Sequence, residues 1–486
     1  MNSIKFISAT RFSMSFRMHT LFATGHTAHL VGCTAASQFI AQCKAQTSSM
    51  ASIAEQVETG ELTVRVGSVR WTVCAMLFAA TTINYMDRQV IAILKPTLEQ
   101  SIGMSEVAYG YVVGAFQISY ALGLLAAGRL VDKVGTRFGY AAIMALWSLS
   151  AMGHALANSA VAFGVARFSL GIGESGNFPA AIKAVAEWFP RGERSLAVGL
   201  FNSGAMVGAV LAPLAVPWVA IHLGWHAAFL TTGIFSVLWI VWWLPHYRRP
   251  QEHPKLGKAE REYILDGAVK EQEPSMPWTA LLKYRQTWAF AMGKFLTDPI
   301  WWFYLFWLPS YFSTRFHLSL LHLGMPLILV YSASAIGSVS GGWLPALFRK
   351  FGWSPARARL SAMFCCACLV LPIVLVNYVQ SQWQAIALLG LAAGAHCGWS
   401  ANILSMPADM FPQSAVGSVT GIGGMAGSVG GMIFATVAGY ILEWTHNYAS
   451  LFVVAAYAYL VSFVLIFMLA RGLGKVEFAR QLRHQN

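Results

Sequence analysis

The sequence predicts an all-α membrane protein: twelve transmembrane helices in two six-helix halves. Three observations carry that prediction. Only 11% of the 486 residues are charged and 56% are hydrophobic, whereas a soluble chain carries roughly 25% charged residues. The apolar residues fall in blocks. Tyr140–Ala157 and Leu451–Ala470, for example, contain no Asp, Glu, Lys or Arg, and about 18 such residues suffice to cross a bilayer. Finally, Lys and Arg cluster in alternate connections between the blocks.

The blocks place spans near 71–94, 107–130, 138–157, 160–188, 196–220 and 226–245, then near 286–313, 319–347, 358–378, 383–408, 414–442 and 448–470. Arg129, Lys133 and Arg137 follow the second span, Arg191 and Arg194 the fourth, and Arg349, Lys350, Arg357 and Arg359 the eighth. The stretch 246–285 carries eight more basic residues, and Arg471, Lys475, Arg480 and Arg483 close the chain. The remaining connections hold few, with Lys95 counted after span one and Arg315 after span seven. The positive-inside rule then puts both termini and the central loop in the cytoplasm, as an even number of crossings requires. The domain plan is an extension over 1–65, a first half over 66–245, a central loop over 246–285, a second half over 286–472 and a tail over 473–486. "GKAEREYILDG" in the central loop reads as a short amphipathic surface helix.

The net charge of +13 is explained by these loops, which removes the case for nucleic acid. Cys365, Cys366 and Cys368 lie within an apolar run, with no second cluster and no His-x3-His at zinc spacing. They read as small packing residues, so no metal or cofactor is expected. The first 54 residues contain no Asp or Glu and carry Lys5, Arg11, Arg17 and Lys44. They read as a transit segment or, preferably, as a mis-assigned start with the chain proper opening at Met50. The extension is expected to be dispensable. "GIGESG" spells a dinucleotide fingerprint, but it lies inside a span rather than between strand and helix. No P-loop, nucleophile elbow or HExxH occurs, and the central loop is too small for a catalytic domain, so no enzyme is expected.

A weak internal repeat supports the two halves. "GRLVDKVGTR" (Gly128–Arg137) ends span two, and "GWLPALFRKFG" (Gly342–Gly352) ends span eight, 214 residues later and in the same direction. Two parallel six-helix halves are the arrangement of major facilitator transporters. Gly128, Leu130, Asp132, Lys133, Gly135 and Arg137 resemble the signature loop of that superfamily. The resemblance implies a cytoplasmic latch between the halves made by Asp132, Lys133 and Arg137. In the second copy Pro345 and Ala346 stand where an acid is expected.

A narrower resemblance covers Trp71 to Gly474. "NYMDRQ", "GIGESGNFPAAIKAVAEWFPRGERSLAVGLFNSGAMVGA", "TDPIWWFYLFWLPSY" and "AHCGWSANILSMPADMFPQSAVGSVTGIGGMAGSVGGM" resemble the anion:cation symporter branch, and within it bacterial hexuronate transporters. Ala205 and Gly424 depart from the galactonate carriers, which place a glutamine and an asparagine there. The resemblance implies proton-coupled import of a hexuronate by alternating access, in a monomer spanning the inner membrane and binding a small carboxylate and protons. Carriage of another organic anion (an aldonate, glucarate, an aromatic acid) or of phosphate, or a sensor without transport, is the alternative.

Asp87 and Arg88 lie inside span one, where charge is expensive and usually functional. Asn84 and Tyr85 share their helix face. By resemblance Arg88 clamps the substrate carboxylate, for which its planar fork is suited, and Asp87 takes a proton. Arg167 and Glu174 lie two turns apart in span four; the resemblance implies a proton site there, and a static ion pair that fixes helix packing is the alternative. Gly171, Gly173 and Gly176 would admit a neighbouring helix. Lys183 and Glu187 read as a structural i,i+4 pair, and His154 as structural. Gln117 and Tyr120 in span two, with Trp301, Trp302, His396, Trp399, Ser400 and Asn402 in the second half, are the polar and aromatic candidates for sugar contact. Lys294, Asp298 and Asp409 read as ties between the halves.

Overall fold

Sixteen α-helices and no strand occur in the computed structural model, which describes residues 67–266, 278–470 and 474. The first half contains α1 (Val69–Ile102), α2 (Glu106–Val134), α3 (Thr136–Gly153), α4 (Ala160–Glu174), α5 (Asn177–Trp188), α6 (Arg191–Leu223) and α7 (Trp225–His246). The short α8 (Lys258–Asp266) and α9 (Trp278–Leu281) lie in the central loop. The second half contains α10 (Arg285–Phe316), α11 (Gly324–Lys350), α12 (Pro355–Val370), α13 (Gln382–Ile403), α14 (Met406–Met410), α15 (Gln413–Thr445) and α16 (Ala449–Ala470). Twelve crossings result because α4–α5 and α13–α14 are each one broken span. The extension before residue 67 and the tail, apart from Gly474, lie outside the described residues.

The repeat is deeper in the backbone than in the sequence. Six described residues have positive φ, and they form three equivalent pairs. Gly103 and His317 end the first span of each half, Gly135 and Gly352 the second, and Gly224 and His446 the fifth. Positive φ favours glycine, yet two of the six are His, which is why this symmetry is hidden in the letters. The breaks at span four and span ten are equivalent too. Each is followed by a Phe-Pro step, Phe189–Pro190 and Phe411–Pro412, that caps the next helix with extended backbone.

Eight helices are long and apolar enough to cross a membrane by length and composition alone. The spans outside that set are α1, α3, α4–α5 and α10. α3 is 18 residues long and α4 only 15; α1 and α10 carry Asp87, Arg88, Lys95, Lys294 and Asp298 within them. The polar content that weakens α1 as a membrane segment is the content from which the site is built.

Helix packing rests on small residues, as membrane interfaces require. A Cβ at Gly337 or Gly341 of α11 would overlap the backbone of Gly394 or Gly398 in α13. No flexible side chain is available to yield there. Gly337→Val is expected to destabilise the fold by about 3 kcal/mol or more, read as a lower melting temperature in detergent. Gly421→Ala, whose Cβ meets nothing within 4 Å, is expected to leave it unchanged.

The central loop is fastened to the first half. Glu260 of α8 is buried and accepts from the backbone N–H groups of Val69 and Arg70 at 3.3 and 3.2 Å, capping α1 at its positive dipole end. Arg70 also pairs with Glu193 at 2.8 Å and holds that carboxyl below its usual range.

Candidate functional site

The halves meet along α2 and α15, along α1 and α10, and along α6 and α11. Every described hydrogen bond between them lies toward the end remote from the central loop. Glu443 accepts from the N–H groups of Glu106 and Val107 at 2.9 and 3.4 Å. Tyr111 and Tyr440 share a hydroxyl contact of 2.8 Å, and Tyr109 donates to the Phe306 carbonyl at 2.8 Å. Lys95 forms the centre of this closure. It is fully buried, pairs with Glu99 and Glu106, and donates to Ser310 of the other half at 3.0 Å. This corrects the placement of Lys95 in a loop: α1 runs 34 residues, through Pro96, and Lys95 lies inside it. At the opposite end, nothing among the described residues lies within 4 Å of a Cβ at Gly128 on α2 or at Gly417 and Gly421 on α15, whereas Gly110 and Gly439 touch at the closed end.

Arg88 lies between these ends, on the α1 face that looks toward the other half. Its Nε donates to Glu174 Oε2 at 2.6 Å, with both side chains buried. Four aromatic rings surround the guanidinium, with centroids at 5.1 Å (Tyr85), 5.5 Å (Phe116), 4.8 Å (Tyr120) and 5.3 Å (Trp302). Trp302 is the contribution of the second half. Ring faces around a desolvated guanidinium stabilise its charge. Gln117 and Trp302 both border Gly431 of α15. The amides of Gln117 and Asn84 are buried with no partner for either polar atom among the described residues. Buried amides are normally satisfied, so these two are groups that a polar ligand or water can use.

Asp87, the neighbour of Arg88, faces the other way, into the first half. Trp147 Nε1 donates to its Oδ2 at 2.6 Å, and the hydroxyls of Thr232 and Ser236 on α7 lie within its reach. Trp147 gets there because Gly173 lies against its backbone, 2.8 Å from where a Cβ would be. Gly171 gives the same close approach to Phe116 and Ser119 of α2. The glycines singled out in span four thus deliver Glu174 to Arg88 and Trp147 to Asp87.

Several expectations are corrected by partner choice. Glu174 pairs with Arg88, and no ion pair joins it to Arg167 among the described residues. Arg167 is 1% exposed and donates to the Arg88 carbonyl at 3.4 Å between the rings of Phe116 and Phe306. Lys183 pairs with Asp132 at 2.7 Å rather than with Glu187, which accepts from Thr136 and Tyr247. Asp132 and Arg137 therefore act within the first half here, Arg137 by donating to the Leu244 carbonyl at 2.9 Å. Lys133 is exposed, and Gly128 faces open space. Among the described residues, no hydrogen bond or ion pair of the latch residues joins the halves in this conformation. Lys294 pairs with Asp298 and Asp409 with Arg359, so these are ties within the second half and not between halves.

The second-half candidates divide. Trp302 reaches Arg88. His396 stacks on Trp301 at 5.1 Å and bonds the Tyr459 hydroxyl at 2.6 Å. Trp399 packs edge-on against Tyr459. Asn402 donates to the carbonyls of Gly341 and Gly398 at 2.8 and 2.9 Å, bridging α11 and α13. Their contacts lie inside the second half, away from the Arg88 cage. Trp147, Phe116, Phe306 and the Lys95 cluster were missed in the sequence. Only Lys95, a charge inside "VIAILKPTL", carried a usable signal.

The family profile described as Major Facilitator Superfamily matches residues 77–435. The hexuronate transporter of Escherichia coli (strain K12) is 30% identical over 422 residues, covering 86% of this chain and 98% of that protein. The galacturonate transporter of Dickeya chrysanthemi is 35% identical over 291 residues, covering 59% of this chain and 84% of that protein. Among solved structures, a D-xylose–proton symporter superposes with a TM-score of 0.67 at 14% identity, covering 82% of this chain and 97% of that one. A bacterial homologue of the human lysosomal transporter Spinster, inward-facing and occupied, gives 0.65 at 16% identity, with 84% and 96% covered. The match of profile, length and twelve-span fold makes the conclusion plain: the chain belongs to the Major Facilitator Superfamily.

Proposed function

We propose that the protein is a proton-coupled symporter that imports a sugar acid, a hexuronate such as galacturonate or glucuronate, by alternating access across the inner membrane. The observation that carries this reading is the buried Arg88–Glu174 pair inside an aromatic cage at the meeting of the halves. The relatives named for hexuronate and galacturonate transport support the substrate class.

The chemistry is a competition for one guanidinium. Arg88 binds either the Glu174 carboxylate or the carboxylate of the substrate. A proton on Glu174 removes its charge and frees Arg88 for the incoming anion. The fully loaded site (protonated Glu174, Arg88 with substrate) and the fully empty one (Arg88 with Glu174) both leave Arg88 paired. A half-loaded site leaves one buried charge without its partner, which costs several kcal/mol. The halves therefore rock in the two balanced states and resist rocking in the others, which is coupling. Asp87 provides a second proton site, and Arg167 beside it supplies the positive field that makes its charge matter. With both termini and the central loop cytoplasmic, the conformation described here faces inward. Its outer gate is the Lys95–Glu106–Ser310 knot.

Purified protein in proteoliposomes is expected to accumulate labelled galacturonate when the inside is made alkaline, and to stop when a protonophore collapses the gradient. Uptake indifferent to the gradient would overturn the coupling. Uptake of phosphate or benzoate without any sugar acid would overturn the substrate class.

A further inference from the structure

The middle of α10 carries a second charged feature, separate from the Arg88 cage. Lys294 Nζ and Asp298 Oδ2 are 2.7 Å apart on successive turns, with side chains 11% and 19% exposed. Among the described residues these are the charged side chains in the middle of a second-half span, where charge is costly and functional by default. The next turn of the same stripe is Trp302, whose ring lies over Arg88. Asp298 is thus about 6 Å along the helix axis from the residue that touches the guanidinium, a step comparable with the length of one pyranose ring. The facing surface of α15 is cleared for it. A Cβ at Gly427 would overlap the Asp298 carboxylate, and one at Gly431 would crowd Trp302 and Gln117.

We infer, on the basis of the sugar-acid reading above, that Lys294 and Asp298 form the subsite that reads the hydroxyl end of the substrate and sets a preference for one carboxylate over two. With the carboxylate end on Arg88, the ring spans toward α10. Asp298 accepts from adjacent hydroxyls, as carboxylates do, while Lys294 donates to a hydroxyl or ring oxygen. Their pair is neutral overall, so it accepts neutral hydroxyls without an unpaired charge. A second carboxylate at that end would have to share Lys294 with Asp298, leaving two carboxylates to one cation. The pair as a mere helix tie would show no such discrimination.

The test compares dissociation constants for galacturonate and galactarate in the full-length protein, wild type against Asp298→Asn, with Lys294→Gln as second variant. Wild type is expected to favour galacturonate by at least about tenfold, the scale on which a misplaced charge or an unpaired polar group is rejected. Asp298→Asn removes the repelling charge and frees Lys294. The preference should then fall by about tenfold or reverse, with galactarate gaining in absolute affinity. Lys294→Gln should weaken galacturonate and bring no gain for galactarate. An unchanged ratio in Asp298→Asn, with both acids weakened alike, would reduce the pair to packing and overturn the inference alone. Binding of neither acid by the wild type would overturn the underlying sugar-acid reading and the inference with it. If Asp298→Asn fails to fold, the Lys294→Gln comparison carries the test: galacturonate binding at wild-type strength would overturn the inference.

Discussion

Glu174→Gln should abolish accumulation while keeping exchange. Glutamine has the shape of the protonated acid and cannot release a proton, so Arg88 stays permanently available to the substrate. Counterflow of labelled against unlabelled galacturonate needs no net proton movement and should persist. Uptake driven by a pH gradient should fall to the equilibrium level. Substrate affinity in this variant should also lose its dependence on pH, and at alkaline pH it should exceed that of the wild type, because the competing carboxylate is gone. Wild-type accumulation by Glu174→Gln would show that the Arg88–Glu174 contact at 2.6 Å is packing, and would leave Asp87 as the proton site.

Arg88→Lys should be nearly as damaging as loss of the charge. Lysine keeps the cation and loses the planar fork that meets a carboxylate with two parallel hydrogen bonds. It also fits poorly among four rings centred 4.8–5.5 Å from the guanidinium carbon. Losing one charged hydrogen bond costs about 2 to 3 kcal/mol, roughly 30- to 150-fold in Kd. Titration of galacturonate against the purified variant measures it. An affinity within threefold of wild type would rule out fork-like carboxylate binding at this position.

The sequence made the crossings legible because hydropathy is a local property. It also exposed Arg88 and Asp87, since charges inside an apolar run stand out wherever the neighbouring helices lie. The partners were not legible. Arg167 and Glu174 share a helix face at i,i+7, but the bond to Glu174 comes from Arg88, 86 residues earlier in the chain, and is made possible by glycines whose purpose is visible only once α2 and α3 are packed against them. The same holds for Asn402, which as a letter resembles a sugar contact and in space spends its amide on two carbonyls between α11 and α13. Lys95 was misplaced for a related reason. A lysine near the end of an apolar run ordinarily marks the membrane edge, and only the facing Glu106 and Ser310 make burial tolerable.

The central claim is that substrate and Glu174 compete for Arg88. Proton uptake on binding tests it most directly, with galacturonate added to the purified protein in weakly buffered detergent solution and the pH followed. Displacement of Glu174 from Arg88 should draw a proton from solution as each substrate binds, and Glu174→Gln should bind without that uptake. Substrate binding by the wild type with no proton exchange at any pH across the physiological range would contradict the account.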